Sequence, residues 1–325
     1  MKYLLTGATG FLGGAVARQL RGAGHELRAL VRDSQRAKQL RELGIDLCVG
    51  DVTHKESLRL AMQGADGVFH IAGWYKVGAR DTSEAEAVNV DGTRNVLEVM
   101  RELGIRKGVY TSSLAVNSDT HGRIVDESYH YTGSHLSEYD RTKAAAHALA
   151  EEMAAEGLPL VIVMPGVTYG PGDPSSLGQT FAAFLQGRLP MIPRGTAVCW
   201  THVEDAARGH ILAMELGKAG ESYIIAGDPA TMEQAFEIAS DITGIPVPRR
   251  MSPGPLRAMA ALMRIVERLV PVPLLLSSEA LRISAGVTYV GDHTKAQREL
   301  GLTWRPLREG LEEILPGKPD RSLGK

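Results

Sequence analysis

Short, nearly continuous apolar runs alternate along this chain with longer stretches in which apolar residues recur every three or four positions. Lys2 to Thr6 is the first apolar run, and Gly7 to Gly13 turns it tightly into a helix over Gly13 to Gly24. Glu26 to Val31, Ile45 to Val49, Gly67 to Ile71, Lys107 to Thr111 and Leu160 to Met164 repeat the strand texture. Helical spacing appears after Arg32-Asp33-Ser34, with Leu40 and Leu43 on one side, and again over Ser57 to Met62. Val88 to Leu103 carries Val90, Val96, Leu97 and Met100 on one helical face, and Tyr139 to Ala155 is a long Ala-rich helix. Unbroken apolar strands alternating with helices predict an α/β fold, a Rossmann-type doubly wound parallel sheet covered on both faces.

After Pro165 the texture changes. Gly166 to Pro174 is rich in Gly and Pro around Tyr169. Strands are expected at Val198 to Val203 and Ser222 to Ala226, with helices over Glu204 to Leu216 and Met232 to Thr243. Arg249 to Leu276 is rich in Pro, Met and Leu and reads as a mostly helical lobe or lid. Residues 1–165 are therefore expected to be predominantly dinucleotide-binding. Residues 166–325 are expected to form a smaller C-terminal substrate-binding lobe, with segments returning to the first domain.

Composition narrows the classes. The 325 residues are 44% hydrophobic and 23% charged, with net charge -2, as in globular domains. There is no long Lys/Arg run, so neither nucleic acid nor an anionic membrane is an expected partner. Leu269 to Leu276 is apolar but too short to span a bilayer, and it holds two prolines. The N-terminus enters a strand directly without a signal-peptide pattern, so a cytoplasmic location is expected. Cys48 and Cys199 are too few for a disulfide scaffold. His70 and His202 lack a neighbouring ligand cluster, so no metal is expected.

Candidate chemistry begins at Gly7-Ala8-Thr9-Gly10-Phe11-Leu12-Gly13. The first two glycines permit a tight turn and close approach of a pyrophosphate, and the third permits close packing of the helix. The helix start offers free N–H groups to the phosphates. The second strand ends at Val31-Arg32-Asp33. A guanidinium at Arg32 suits a 2′-phosphate, which favours NADP(H), while Asp33 could instead bind ribose and keep NAD(H) possible. Asp51 reads either as an adenine contact, with Val52 stacking beside it, or as the cap of the next helix. Tyr139 and Lys143 leave the same helical face one turn apart. The ammonium is expected to lower the phenol pKa, so that Tyr139 can act as general acid or base. Ser113, just beyond a strand, is placed to hold the reacting oxygen.

These motifs together resemble the extended short-chain dehydrogenase/reductase family, within the NAD-dependent epimerase/dehydratase superfamily. Gly7, Gly10 and Gly13 match its glycine motif, and Asp51-Val52 its adenine-contacting pair. His70-Ile71-Ala72-Gly73 resembles the segment beside the cofactor, and Asn89 to Leu97 the helix motif, with Asn89 as a supporting asparagine. Thr111-Ser112-Ser113, Tyr139-Asp140-Arg141-Thr142-Lys143 and Pro165 to Asp173 resemble the serine motif, the active pair and the segment near nicotinamide. His202 to Ala207 resembles a later family marker.

Within the family the likeness is to dihydroflavonol-reductase-like and hydroxysteroid-dehydrogenase-like members. It is carried by Val31-Arg32-Asp33, Tyr110 to Ser113 with Val116-Asn117, and Lys295-Ala296 with Glu299-Leu300-Gly301. Leu114 stands where dehydratases tend to place an acid.

The resemblance implies catalytic Ser113, Tyr139 and Lys143, with Asn89 supporting a water-linked proton path. It implies cofactor contacts at Gly7, Thr9, Gly10, Phe11, Leu12, Gly13, Arg32, Asp51, Val52, Ile71, Ala72, Gly73, Tyr139, Lys143, Pro165 and Val167. Trp74, Asn117, Tyr169 and Trp200 are candidate substrate contacts, suited to a flat or apolar carbonyl compound. Arg188, Arg249 and Arg250 keep a diphosphate-bearing substrate in play. The expected activity is reduction of an aldehyde or ketone by NADPH. A nucleotide-sugar epimerase or a non-catalytic dinucleotide sensor are the alternatives. A homodimer through the helices near Val88–Leu103 and Tyr139–Ala155 is the family expectation.

Overall fold

The computed structural model describes residues 1–317. The first half builds a parallel sheet from β1 (Lys2–Thr6), β2 (Glu26–Val31), β3 (Asp46–Val49), β4 (Gly67–His70), β5 (Gly108–Thr111) and β6 (Leu160–Pro165). Helices α1 (Phe11–Gly22), α2 (Lys38–Glu42), α3 (Lys55–Met62), α4 (Ser83–Glu86), α5 (Gly92–Glu102) and α6 (Glu138–Ala155) connect them. Beyond β6 lie β7 (Val167–Tyr169), α7 (Ser176–Leu185), β8 (Met191–Pro193), β9 (Ala197–His202) and α8 (Val203–Glu215). Next come β10 (Ser222–Ile225), β11 (Pro229–Thr231), α9 (Met232–Thr243), β12 (Arg249–Met251) and α10 (Pro253–Leu269). The described chain closes with α11 (Ser278–Ile283), β13 (Thr288–Tyr289), α12 (Thr294–Leu300) and α13 (Leu307–Ile314).

The main sheet has the order β10-β6-β5-β4-β1-β2-β3 and is parallel throughout. Strand order reverses between β1 and β4, so a crevice opens at their C-terminal ends, where such folds bind ligands. One apolar layer packs α1 and α8 on one face, through Val16, Leu20, Ile211 and their neighbours. The other packs α3, α5 and α6 on the opposite face, through Leu58, Leu97, Met100 and Ala150.

The strands follow the apolar pattern closely, while helix ends move where caps decide. Helix α1 begins at Phe11, ahead of the expected Gly13, because Gly10 holds the extended N-cap conformation. Ser137 caps α6 by accepting from Asp140 N–H at 3.1 Å, which sets Tyr139 in the first turn. The helix expected from Val88 begins earlier, with α4, and passes through a π-helical turn over Ala87–Asp91. Residues 203–225 return to the main sheet, β10 joining the edge of β6. The lobe is built around β7, β9, β11 and β13, with Phe181, Phe184 and Phe236 at its centre.

Candidate active site

The glycine turn closes by main-chain contact. Gly7 has φ +74°, and a Cβ there would lie 2.6 Å from Ala72 N, so only glycine lets the turn pack on the segment after β4. A Cβ on Gly13 would come within 2.1 Å of the Gly7 carbonyl oxygen. The third glycine therefore keeps the turn itself closed, in addition to seating the helix. Gly10 supplies no side-chain cap, which leaves first-turn N–H groups facing the crevice. That cradle fits a pyrophosphate.

At the end of β2, Arg32 is exposed and forms no hydrogen bond or ion pair among the described residues. Asp33 is engaged locally: its carboxylate accepts from Gln35 N–H at 2.8 Å and pairs with Arg36 at 3.5 Å. Asp51 makes a turn with Thr53, accepting from its N–H at 2.9 Å and its hydroxyl at 2.8 Å. It does not cap α3, which has no side-chain cap. Val52 is buried against Gly92, and its carbonyl accepts from Asn95.

Beneath the crevice runs a buried polar chain that the sequence did not reveal. Thr6 Oγ1 lies 2.8 Å from His70 Nδ1, and His70 Nε2 lies 3.0 Å from Thr93 Oγ1. Burial, then the charge of Lys143, pushes His70 down to about 3, so its ring is neutral. Its ring stacks on Tyr110, whose hydroxyl accepts from Lys143 Nζ at 3.3 Å. Lys143 is buried, donates to the Thr111 carbonyl at 2.7 Å, and sits over the Tyr110 ring. Loss of hydration lowers its pKa to about 7.

The expected lowering of the Tyr139 pKa is not what the structure shows. Burial raises it; contact with Ser113 opposes the rise, and Asp140 adds to it. Lys143 is engaged with Thr111 and Tyr110, so its charge is not offered to the phenol. Ser113 caps the turn Leu114–Asn117, accepting from Ala115 N–H at 3.1 Å.

Two further chains hold α6. Ser112 Oγ lies 2.7 Å from His147 Nδ1, and His147 Nε2 lies 3.2 Å from Glu151. Tyr289 donates to Asp140 at 2.9 Å, while Glu279 accepts from both Glu138 N–H and Gly78 N–H at 3.0 Å. Burial raises Asp140 to about 6, against its bonds from Ser137 and Tyr289.

The Asn89 side chain is hydrogen-bonded within the protein at both ends of its amide. Its amide accepts from Trp74 N–H at 2.7 Å, donates to Trp74 O at 3.0 Å, and donates to Thr142 Oγ1 at 2.9 Å. With these bonds made, it clamps the segment after β4 to the Tyr139 helix. The four candidate substrate contacts separate. Tyr169 and Trp200 pack edge to face in the lobe core, and Trp200 Nε1 donates to Ala230 O. Both lie in the core of the lobe. Trp74 is also buried. Asn117 is buried with Nδ2 unpartnered, beside Ser118, which has φ +50° and a buried unpartnered hydroxyl. Ile71 and Ala72 abut Gly7, and Gly73 closely approaches Asn89. Pro165 ends β6, and Val167 opens β7, which pairs with β9.

The fold is one that known proteins share. The model of the NAD dependent epimerase/dehydratase family matches residues 3–226. This chain belongs to that family. It is an NAD(P)-dependent enzyme of the short-chain dehydrogenase/reductase and epimerase type. It is 32% identical to sterol demethylase protein B of Methylococcus capsulatus, over 99% of this chain and 100% of that protein. It is 30% identical to a 4-hydroxy-2-methyl-3-oxo-4-farnesyl-3,4-dihydroquinoline-1-oxide ketoreductase of Stigmatella aurantiaca, over 98% of this chain and 97% of that one. Among solved structures, a nucleoside-diphosphate-sugar epimerase from Pseudomonas aeruginosa superposes with TM-score 0.77 at 28% identity, covering 97% and 96% of the two chains. Among the described residues no His/Cys/Asp/Glu group could hold a metal ion, and no helix is long and apolar enough to cross a membrane.

Proposed function

We propose that this chain moves hydride between a nicotinamide dinucleotide and a substrate carbon that bears a hydroxyl or carbonyl oxygen. The observation that carries the reading is Tyr139 in the first turn of α6, on the helix that Lys143 ties to the Thr111 carbonyl at the end of β5, where Ser113 follows. The dinucleotide, when bound, supplies or accepts the hydride. Ser113 and Tyr139 hold the substrate oxygen. The raised Tyr139 pKa keeps its proton in place at neutral pH, as a proton donor in carbonyl reduction requires. Lys143 is the donor for the nicotinamide ribose. The unpartnered Asn117 amide is the candidate group for orienting the substrate.

Arg32, free of partners among the described residues, supports NADP(H), while Asp33 is drawn toward Gln35 and Arg36. NAD(H) remains the alternative, in keeping with the family description.

Two finer readings share this chemistry. A nucleotide-sugar epimerase has the family model and the Pseudomonas structure behind it. Reduction of an apolar ketone or aldehyde, as in dihydroflavonol-reductase-like proteins, has the ketoreductase relative behind it. The state of the candidate diphosphate grips also bears on the second reading: Arg250 is paired with Glu233 and Glu237, and Arg188 is exposed on Gln186. The deciding experiment measures nucleotide released on denaturing the purified chain, then hydride exchange with a panel of ketones and of nucleotide-sugars. Retained NAD⁺ with sugar epimerisation selects the first reading; exchangeable NADPH with ketone turnover selects the second. Turnover by Tyr139→Phe close to that of the parent would sink both. The family resemblance also supports a homodimer through α5 and α6.

A further inference from the structure

Half of the exposed large apolar side chains among the described residues fall within residues 262–276. On α10 they are Leu262 and Ile265, each 60% exposed, and Leu269, 79% exposed. Val270 and Leu274–Leu276 continue the patch past the end of the helix, which the prolines 271 and 273 stop. Helix α10 thus has three faces. Leu256 and Ala260, with Met259 and Met263, pack onto α11 and its surroundings. Leu262, Ile265 and Leu269, at helical spacing with Ala258, point outward as an apolar row. Arg257, Arg264 and Arg268 form an exposed basic row along one side of it.

The exposed charged side chains of α10 have one sign. Arg264 and Arg268 have no ion-pair or hydrogen-bond partner among the described residues. Arg257 donates to the Ala285 carbonyl. The only acid of the helix, Glu267, is turned inward and accepts from Ser278 N–H at 3.0 Å and its hydroxyl at 2.6 Å. An apolar row beside a row of arginines, with the acid withdrawn, is the pattern of a helix that lies in the interface of a bilayer.

We propose that α10 and residues 270–276 dock this chain on an anionic lipid surface. The apolar row and the Leu274–Leu276 turn enter the acyl boundary, and Arg257, Arg264 and Arg268 meet lipid phosphates. The net charge of -2 does not oppose this, because screening over about 8–10 Å leaves the local arginines dominant. A segment too short to cross a bilayer is long enough to lie on one. The patch also borders the segment after β4: Gly78 sits against Ser277 and the Leu274 carbonyl. Docking is independent of which reaction the site performs.

The test is flotation of the full chain with vesicles of phosphatidylcholine mixed with phosphatidylglycerol, against phosphatidylcholine alone. The parent is expected to float with the mixed vesicles at low salt and to be released as salt rises. Arg264→Ala and Arg268→Ala are each expected to lower partitioning about fivefold. Leu269→Glu combined with Leu275→Glu should lower it at least tenfold, with an unchanged melting temperature because both residues are exposed. No flotation of the parent at low salt would overturn the proposal, as would flotation indifferent to these substitutions. A parent that stays off vesicles but is a dimer by light scattering, and becomes monomeric on Leu269→Glu with Leu275→Glu, would assign the patch to a second copy instead.

Discussion

Lys143 donates through Nζ to the carbonyl oxygen of Thr111 at 2.7 Å, tying the Tyr139 helix to the end of β5. The bond satisfies an ammonium that is otherwise stripped of water, and the cost of that burial appears as a pKa of about 7.

That cost has a pH dependence. The folded chain releases the Lys143 proton about pH 7, whereas the unfolded chain holds it to an ordinary lysine value of 10.5. Between these values the unfolded state binds more protons, so stability rises with pH. The lysine subtracts from stability in full below pH 7 and progressively less above it. Lys143→Met is therefore expected to melt higher relative to the parent at about pH 6 than at about pH 10. Calorimetry at the two pH values checks this; an equal offset at both would contradict it.

Asn89→Ala leaves the Trp74 N–H and carbonyl without partners. The expected loss is about 3 kcal/mol, read from urea unfolding. Asn89→Asp keeps the acceptor for Trp74 N–H but sets a buried carboxylate oxygen against the Trp74 carbonyl, and should be at least as destabilising as alanine. A proton-relay role without structural weight would leave the unfolding midpoint of both variants unmoved.

Gly13 and Gly14 are adjacent but not equivalent. A Cβ on Gly13 would lie 2.1 Å from the Gly7 oxygen, whereas one on Gly14 would meet nothing closer than 3.6 Å. Gly13→Ala should weaken nucleotide binding tenfold or more by opening the turn. Gly14→Ala should bind normally and gain up to about 1 kcal/mol in stability from helix propensity. Titration calorimetry with NADPH, with thermal melts of both variants, separates these outcomes.

Arg32→Ala is expected to weaken NADPH binding by about tenfold or more, the worth of a charge-assisted pair, and to leave NADH nearly unchanged. Equal losses for both nucleotides would show that Arg32 does not read the 2′-phosphate.

Tyr139→Phe should cut turnover by about a hundredfold or more while dinucleotide binding persists, since only the proton donor is removed. Stopped-flow hydride transfer together with binding titration separates the two effects.

Much of the fold is legible along the chain. Continuous apolar runs define the strands because a parallel sheet is buried on both faces, and periodic apolar rows define the helices packed on it. The glycine turn, the position of Ser113 just past β5 and the placement of Tyr139 and Lys143 one turn apart on α6 are also legible, since spacing relative to strand ends and along one helical turn is a local property. Other features depend on partners far away in sequence. Ser222–Ile225 joins the main sheet through its pairing with β6, a contact its own residues do not announce. Tyr169 and Trp200 could equally line a pocket or fill a core from their sequence, and their packing with the phenylalanines of α7 and α9 is a tertiary property. Local spacing likewise suggested that Lys143 would acidify Tyr139. Burial, with Thr111 and Tyr110 taking the ammonium, reversed the direction, because desolvation and hydrogen-bond pairing are set by the three-dimensional surroundings of a group.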